Sequence, residues 1–88
     1  AKRCALNGLA VAKSILNDLD RIEQILRVDG FVASEAGWGG QPGVINGASE
    51  VLFEILGERG RHARAAVGVS ALPLNVPVEV AMVIAVSP

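Results

Sequence analysis

Residues 78–86 alternate without a break. Val78, Val80, Met82, Ile84 and Val86 fall on one side, and Glu79, Ala81, Val83 and Ala85 on the other. Period two is the mark of a β-strand, whose successive side chains point to opposite faces of a sheet. One face of this strand is a continuous aliphatic row. Such a row has to be covered by another layer, so the remainder of the chain must supply that layer.

Two segments of helical period do so. From about Ala1 to Asn17, Ala5, Leu9, Ala12 and Leu16 recur at spacings of three and four, with Leu6 and Ala10 beside them. Lys2, Arg3, Lys13 and Asn17 lie outside this stripe. From Pro42 or Val44 to Glu58 the stripe is Val44, Ala48, Val51, Leu52, Ile55 and Leu56. Glu50, Glu54 and Glu58 follow at i, i+4 spacing and read as a solvated face. Pro42 suits a first helical turn, and Gly57 and Gly60 are stop signals.

Between the helices the period changes to two. Ile22, Leu26, Val28, Gly30 and Val32 fall on one face, with Gln24 the exception. Glu23, Ile25, Arg27, Asp29 and Phe31 fall on the other. A glycine-rich stretch follows, with Gly37, Gly39, Gly40, Pro42 and Gly43. It reads as a connector; a phosphate-cradling loop would need the Gly-Lys-Ser/Thr ending, which is missing. After the second helix, Ala65, Val67 and Val69 alternate with Arg64, Ala66 and Gly68, and residues 72–77 lead into the last strand. The order is α-β-α-β-β, one α+β domain in which two helices cover one face of a sheet.

Composition narrows the function classes. The formal charge is −1, so no broad positive field invites nucleic acid or an anionic membrane. No apolar run reaches the ~18 to 20 residues that span a bilayer. One Cys and one His are too few for a common zinc site, and no metal or other cofactor is expected. The single Cys4 makes no internal disulfide and fits a reducing, cytoplasmic setting. The opening Ala1-Lys2-Arg3-Cys4 does not read as a signal peptide, and the helical pattern is already under way there, as in a chain that begins inside an element.

The side of the sheet away from the helices is expected to carry Ala66, Gly68, Ala81, Val83 and Ala85, with Ile25 and Phe31. These are small or apolar, which is the composition of an interface and not of a wet face. A homo-oligomer follows from that; the number of copies does not. On this alternation Arg64 and Glu79 share the helix-free face. A guanidinium is suited to a carboxylate, because its planar fork makes two parallel hydrogen bonds. Glu79 is suited to accept or deliver a proton. The competing reading of the two is a structural ion pair at a strand end.

Three runs together resemble a known family. They are Asn46-Gly47-Ala48-Ser49-Glu50, then Arg61-His62-Ala63-Arg64-Ala65-Ala66-Val67, then Leu72-Pro73 with Val78-Glu79-Val80. The chain resembles the carboxy-terminal portion of the Rid family, also called YjgF, reactive intermediate deaminase, or endoribonuclease L-PSP-like. The resemblance implies a chorismate-mutase-like fold, a homotrimer and ligand clefts between subunits. It implies a single domain over residues 1–88 that lacks the family's amino-terminal strands. It places Arg64 on the arginine that holds a substrate carboxylate and Glu79 on the glutamate that positions or activates water. Asn46 falls on an asparagine near the cleft, and Ala66 on a position often held by cysteine, whose main-chain groups face the ligand. The family's usual Ala-Arg-Ser-Cys is Ala-Arg-Ala-Ala here, which marks a divergent subgroup.

The implied chemistry is hydrolysis of a reactive 2-imino or enamine acid to a 2-keto acid and ammonia. An imine is already electrophilic, so positioning contributes much of the rate. The alternative is a noncatalytic homologue that binds a small carboxylate or a protein partner, with endoribonuclease activity behind both. His62 lies among Arg59, Arg61 and Arg64 and reads as a helix-end or surface residue before it reads as a general base. That basic cluster lacks aromatic stacking residues nearby, so nucleic acid is not the expected partner. Cys4 and Trp38 read as packing residues.

Overall fold

A computed structural model describes all 88 residues. Helix α1 spans Lys2–Leu16, strand β1 Ile22–Ala33, helix α2 Gln41–Leu56, strand β2 Ala63–Val69 and strand β3 Val78–Val86. Short 3-10 turns occupy Leu19–Arg21, Gly57–Gly60 and Pro73–Asn75. The sheet has the order β2-β1-β3, parallel between β1 and β2 and antiparallel between β1 and β3. A parallel pair cannot be joined by a hairpin, and α2 is the crossover. Both helices lie on one face of this mixed sheet, α2 against β1 and β2, and α1 against α2 and β3. The α-β-α-β-β order and the α+β class are those expected. No helix is long and apolar enough to cross a membrane.

The core lies between the helices and the sheet. Ala5 and Leu9 of α1 meet Ala48, Val51, Leu52 and Leu56 of α2 over Ile22, Ile25 and Val28 of β1. Val80, Met82 and Ile84 of β3 pack against this cluster, so the middle of the last strand's aliphatic row is covered, while Val86 at its end is exposed. In α2 the buried stripe includes Ile45 where Val44 was expected, and Ile55 is exposed. The row Glu50, Glu54 and Glu58 is exposed. Trp38 is not a core residue: it is 43% exposed, and its ring lies over Gly40.

Two expectations about faces are overturned. The first concerns β1. Strict alternation puts Leu26 inside and Ile25 outside, but Ile25 is 0% exposed and Leu26 is 49% exposed. The cause is two irregularities in the β1–β3 register, between Ile22 and Gln24 and between Ile25 and Arg27. Each gives β1 one residue more than β3, as in a β-bulge, and shifts the phase of alternation. Ile22, Ile25 and Val28 therefore share the covered face at spacings of three, and Gln24 ceases to be an exception.

The second concerns β2. Arg64, Ala66 and Gly68 pair with Val28, Gly30 and Val32, which all face the helices. These three residues are on the helix side, and Ala63, Ala65, Val67 and Val69 are on the open side. The reason is the close approach of α2. A Cβ at Gly30 would come within 2.5 Å of Ile45, and one at Gly68 would meet the Gln41 amide and the Ser34 hydroxyl. A side chain at Gly30 or Gly68 would have to displace these groups. The open face is still apolar, with Val67, Val83, Ala81 and half-buried Phe31 around the Arg27–Asp29 ion pair.

Gly60 is the tightest point of the fold. A Cβ there would overlap the Leu52 carbonyl and press on the Phe53 amide, both backbone atoms that cannot rotate away. Gly60→Ala is expected to destabilise the chain by about 3 kcal/mol, the upper range for forcing an extra carbon into a packed site. Urea unfolding of the two proteins measures it.

Candidate active site

Arg64 enters the site from the second residue of β2, and α2 crosses above it. Asn46 and Ser49 stand at i and i+3 on α2, so both face the strand. The Arg64 guanidinium donates from one nitrogen to Asn46 Oδ1 at 2.8 Å and to Ser49 Oγ at 3.2 Å. The ion pairs of the chain are Arg27–Asp29 and Arg61–Glu58, so Arg64 has no carboxylate partner. Neutral acceptors hold it in place and leave its charge uncompensated. The rest of its fork is open to solvent-borne ligand.

The residues around it enclose an open cleft of about 440 Å³ lined by Asn46, Ser49, Phe53, His62, Arg64 and their neighbours. Arg61 lies 4.7 Å from the centroid of the Phe53 ring and forms one wall. His62 is the residue that the sequence reading undervalued. It is not at a helix end but at the mouth of β2, bonded to Ser49 at 2.9 Å and to the Gly60 carbonyl at 2.6 Å. Its signal was available: His62 and Arg64 are two apart in a strand entry, hence on one side, opposite an i, i+3 pair on a helix. No group of three or more His, Cys, Asp or Glu side chains comes together as metal ligands.

Of the four residues read from the sequence, Arg64 and Asn46 are brought into contact. Ala66 follows Arg64 on the same face of β2, under α2. Glu79 is elsewhere. It pairs with Phe31 in β3 and is exposed on the open face. Arg64 pairs with Val28 on the opposite edge of the sheet and the opposite face. Strands about 4.8 Å apart and about 3.3 Å per residue put the two Cα atoms roughly 14 Å apart. The expectation that Arg64 and Glu79 project from one face of one chain is therefore corrected, for the β2 phase reason given above.

Comparison with known proteins gives this fold a family. Residues 1–86 match the model of the family described as "YjgF/chorismate_mutase-like, putative endoribonuclease". The chain belongs to the YjgF family. A curated relative, Protein TCP17 of Trypanosoma cruzi, is 42% identical over 81 residues, which cover 91% of this chain and 51% of the relative. The crystal structure of Atu1372 from Agrobacterium tumefaciens, a protein of unknown function, is 45% identical with a TM-score of 0.96, covering 99% of this chain and 56% of that one. A Shewanella oneidensis structure described as a "putative endoribonuclease" is 37% identical with a TM-score of 0.82, covering 86% and 50%. The chain thus spans about half the length of the YjgF relatives it matches.

Proposed function

We propose that this YjgF protein hydrolyses reactive 2-imino or enamine acids to 2-keto acids and ammonia, at clefts between the copies of a homotrimer. The observation that supports the reading is the uncompensated Arg64 guanidinium, aimed by Asn46 and Ser49 into an open cleft. A fixed fork with free donors is the geometry that takes a carboxylate in two parallel hydrogen bonds. Ala66, the next residue on the same face of β2, does not line the cleft of one copy, and the reading assigns its main-chain groups to the imine nitrogen in the assembled cleft.

Glu79 of the same chain cannot reach this cleft, so the reading assigns the water-orienting carboxylate to Glu79 of a neighbouring copy. The apolar open face supports association, since Val67 and Val83 stay exposed in one copy alone. Glu79 stands on that same face, where a neighbour packs.

The test is decay of 2-iminobutanoate generated enzymatically from an amino acid. Wild type is expected to accelerate decay, and Arg64→Ala and Glu79→Gln each to lose about 10²-fold, the scale of a lost positioning contact. Mixing the two variants after mild dissociation is expected to regain activity, because some clefts then hold an intact Arg64 and an intact Glu79. Decay unchanged by wild-type protein contradicts the enzyme reading and leaves carboxylate binding without turnover. Mixtures that stay inactive contradict the shared cleft.

A further inference from the structure

Arg64 shares its cleft with a group that the deaminase reading leaves unused. Nδ1 of His62 lies 2.6 Å from the Gly60 carbonyl. A carbonyl oxygen only accepts, so Nδ1 carries the proton. In the neutral ring Nε2 then holds the lone pair, and the Ser49 hydroxyl, 2.9 Å away, donates to it. Arg64 donates to the same Ser49 oxygen at 3.2 Å. Donors thus run in one direction, from Arg64 to Ser49 to His62 to Gly60. A hydroxyl on a base whose other nitrogen is held by a third group is the arrangement that moves protons in many hydrolases. Here the third group is a backbone carbonyl.

We infer that His62, acting through the Ser49 hydroxyl, is the proton relay of the Arg64 cleft, an inference that rests on the deaminase reading above. Water adds to the carbon of the iminium, and a new C–O bond forms as the C=N π pair moves to nitrogen. The proton that water loses goes to Ser49 Oγ, while the Ser49 proton goes to Nε2. The relay then returns that proton to the amine nitrogen. The C–N bond breaks with its electron pair leaving on ammonia, and the carbinol O–H proton leaves by the same path and ends on ammonia as ammonium. One iminium and one water give one keto acid and one ammonium, and His62 ends neutral. Glu79 orients the water in this scheme and need not hold the proton.

The other charged groups near the ring are Glu50 on α2 and Arg61 and Arg64 on its own segment. Arg61 is tied to Glu58 at 2.7 Å, and Arg59 is turned to the Ile22 carbonyl. The relay needs the lone pair on Nε2, so kcat/KM is expected to fall toward acid pH while the relay operates.

The experiment is the pH profile of 2-iminobutanoate decay for the full-length protein, with His62→Gln, Ser49→Ala and Ser49→Thr. Binding of 2-oxobutanoate and the unfolding midpoint are measured on each. His62→Gln and Ser49→Ala are expected to lower kcat/KM by about 10²-fold and to abolish the acid limb while still folding. Ser49→Thr keeps the hydroxyl and is expected to restore both. A limb that persists in His62→Gln, or that disappears in Glu50→Gln instead, overturns the relay but not the deaminase reading. Wild-type protein that binds the keto acid without turnover overturns both.

Discussion

Arg64→Ala is expected to weaken binding of 2-oxobutanoate about 10²-fold or more while leaving the fold intact. The guanidinium is exposed at the edge of the sheet, makes no ion pair, and touches only two neutral acceptors. Removing it leaves no buried charge behind, so the stability cost is that of a surface change, about 0.5 kcal/mol. The binding cost is larger because two charge-assisted hydrogen bonds are lost, each about 1.5 kcal/mol at the low end suited to an open cleft. About 3 kcal/mol is a little over 10²-fold in Kd. Arg64→Lys keeps the charge and loses the fork, so an intermediate loss of about tenfold is expected. Titration calorimetry reads all three proteins. Equal affinity in wild type and Arg64→Ala would move the ligand away from this cleft.

Ile25→Ala is expected to cost about 3 kcal/mol, and Leu26→Ala less than about 1 kcal/mol. Ile25 is wholly buried between β1 and the helices, where a large-to-small change loses both transfer energy and packing. In a chain of 88 residues about 3 kcal/mol lowers the melting temperature by roughly 15 °C. Leu26 faces out at the bulge, and its truncation removes little that folding had buried. Strict alternation along β1 demands the reverse order. Thermal melts of the two single variants decide between the registers, and a Leu26→Ala protein melting below Ile25→Ala would sink the bulged one.

These two residues also show where sequence reading stopped. Period two marked β1 and β3, period 3.6 marked both helices, and covering the β3 row forced them onto one face of a sheet. A bulge is a one-residue event in hydrogen bonding, and alternation counted along one strand does not contain it. The spacing Ile22, Ile25, Val28 was its trace, with Gln24 standing out as the misfit. For β2 the bulkier set Val67 and Val69 looked like the inward row. The inward row is Arg64, Ala66 and Gly68, because Ile45 of α2 sits on Gly30 of the neighbouring strand and the Gln41 and Ser34 side chains fill the space at Gly68. That closeness is a property of the packed helix, which local pattern does not encode.

The site was legible in halves. Arg64 and Asn46 were named from their match to family motifs, and the structure joins them at 2.8 Å. Glu79 was assigned a face correctly from β3, but its partnership with Arg64 depended on the β2 phase and fell with it. Ser49 and His62 come from segments 13 residues apart and meet only because the Gly57–Gly60 turn folds the chain back against α2.

On the proposed function, the Arg64 fork is kept free for a ligand's carboxylate. A crystal structure of the assembled protein with 2-oxobutanoate examines it directly. Both carboxylate oxygens are predicted within hydrogen-bond distance of the Arg64 guanidinium, beside Asn46 and Ser49. A fork already occupied by a carboxylate of a neighbouring copy, with the keto acid absent from the cleft, would contradict it.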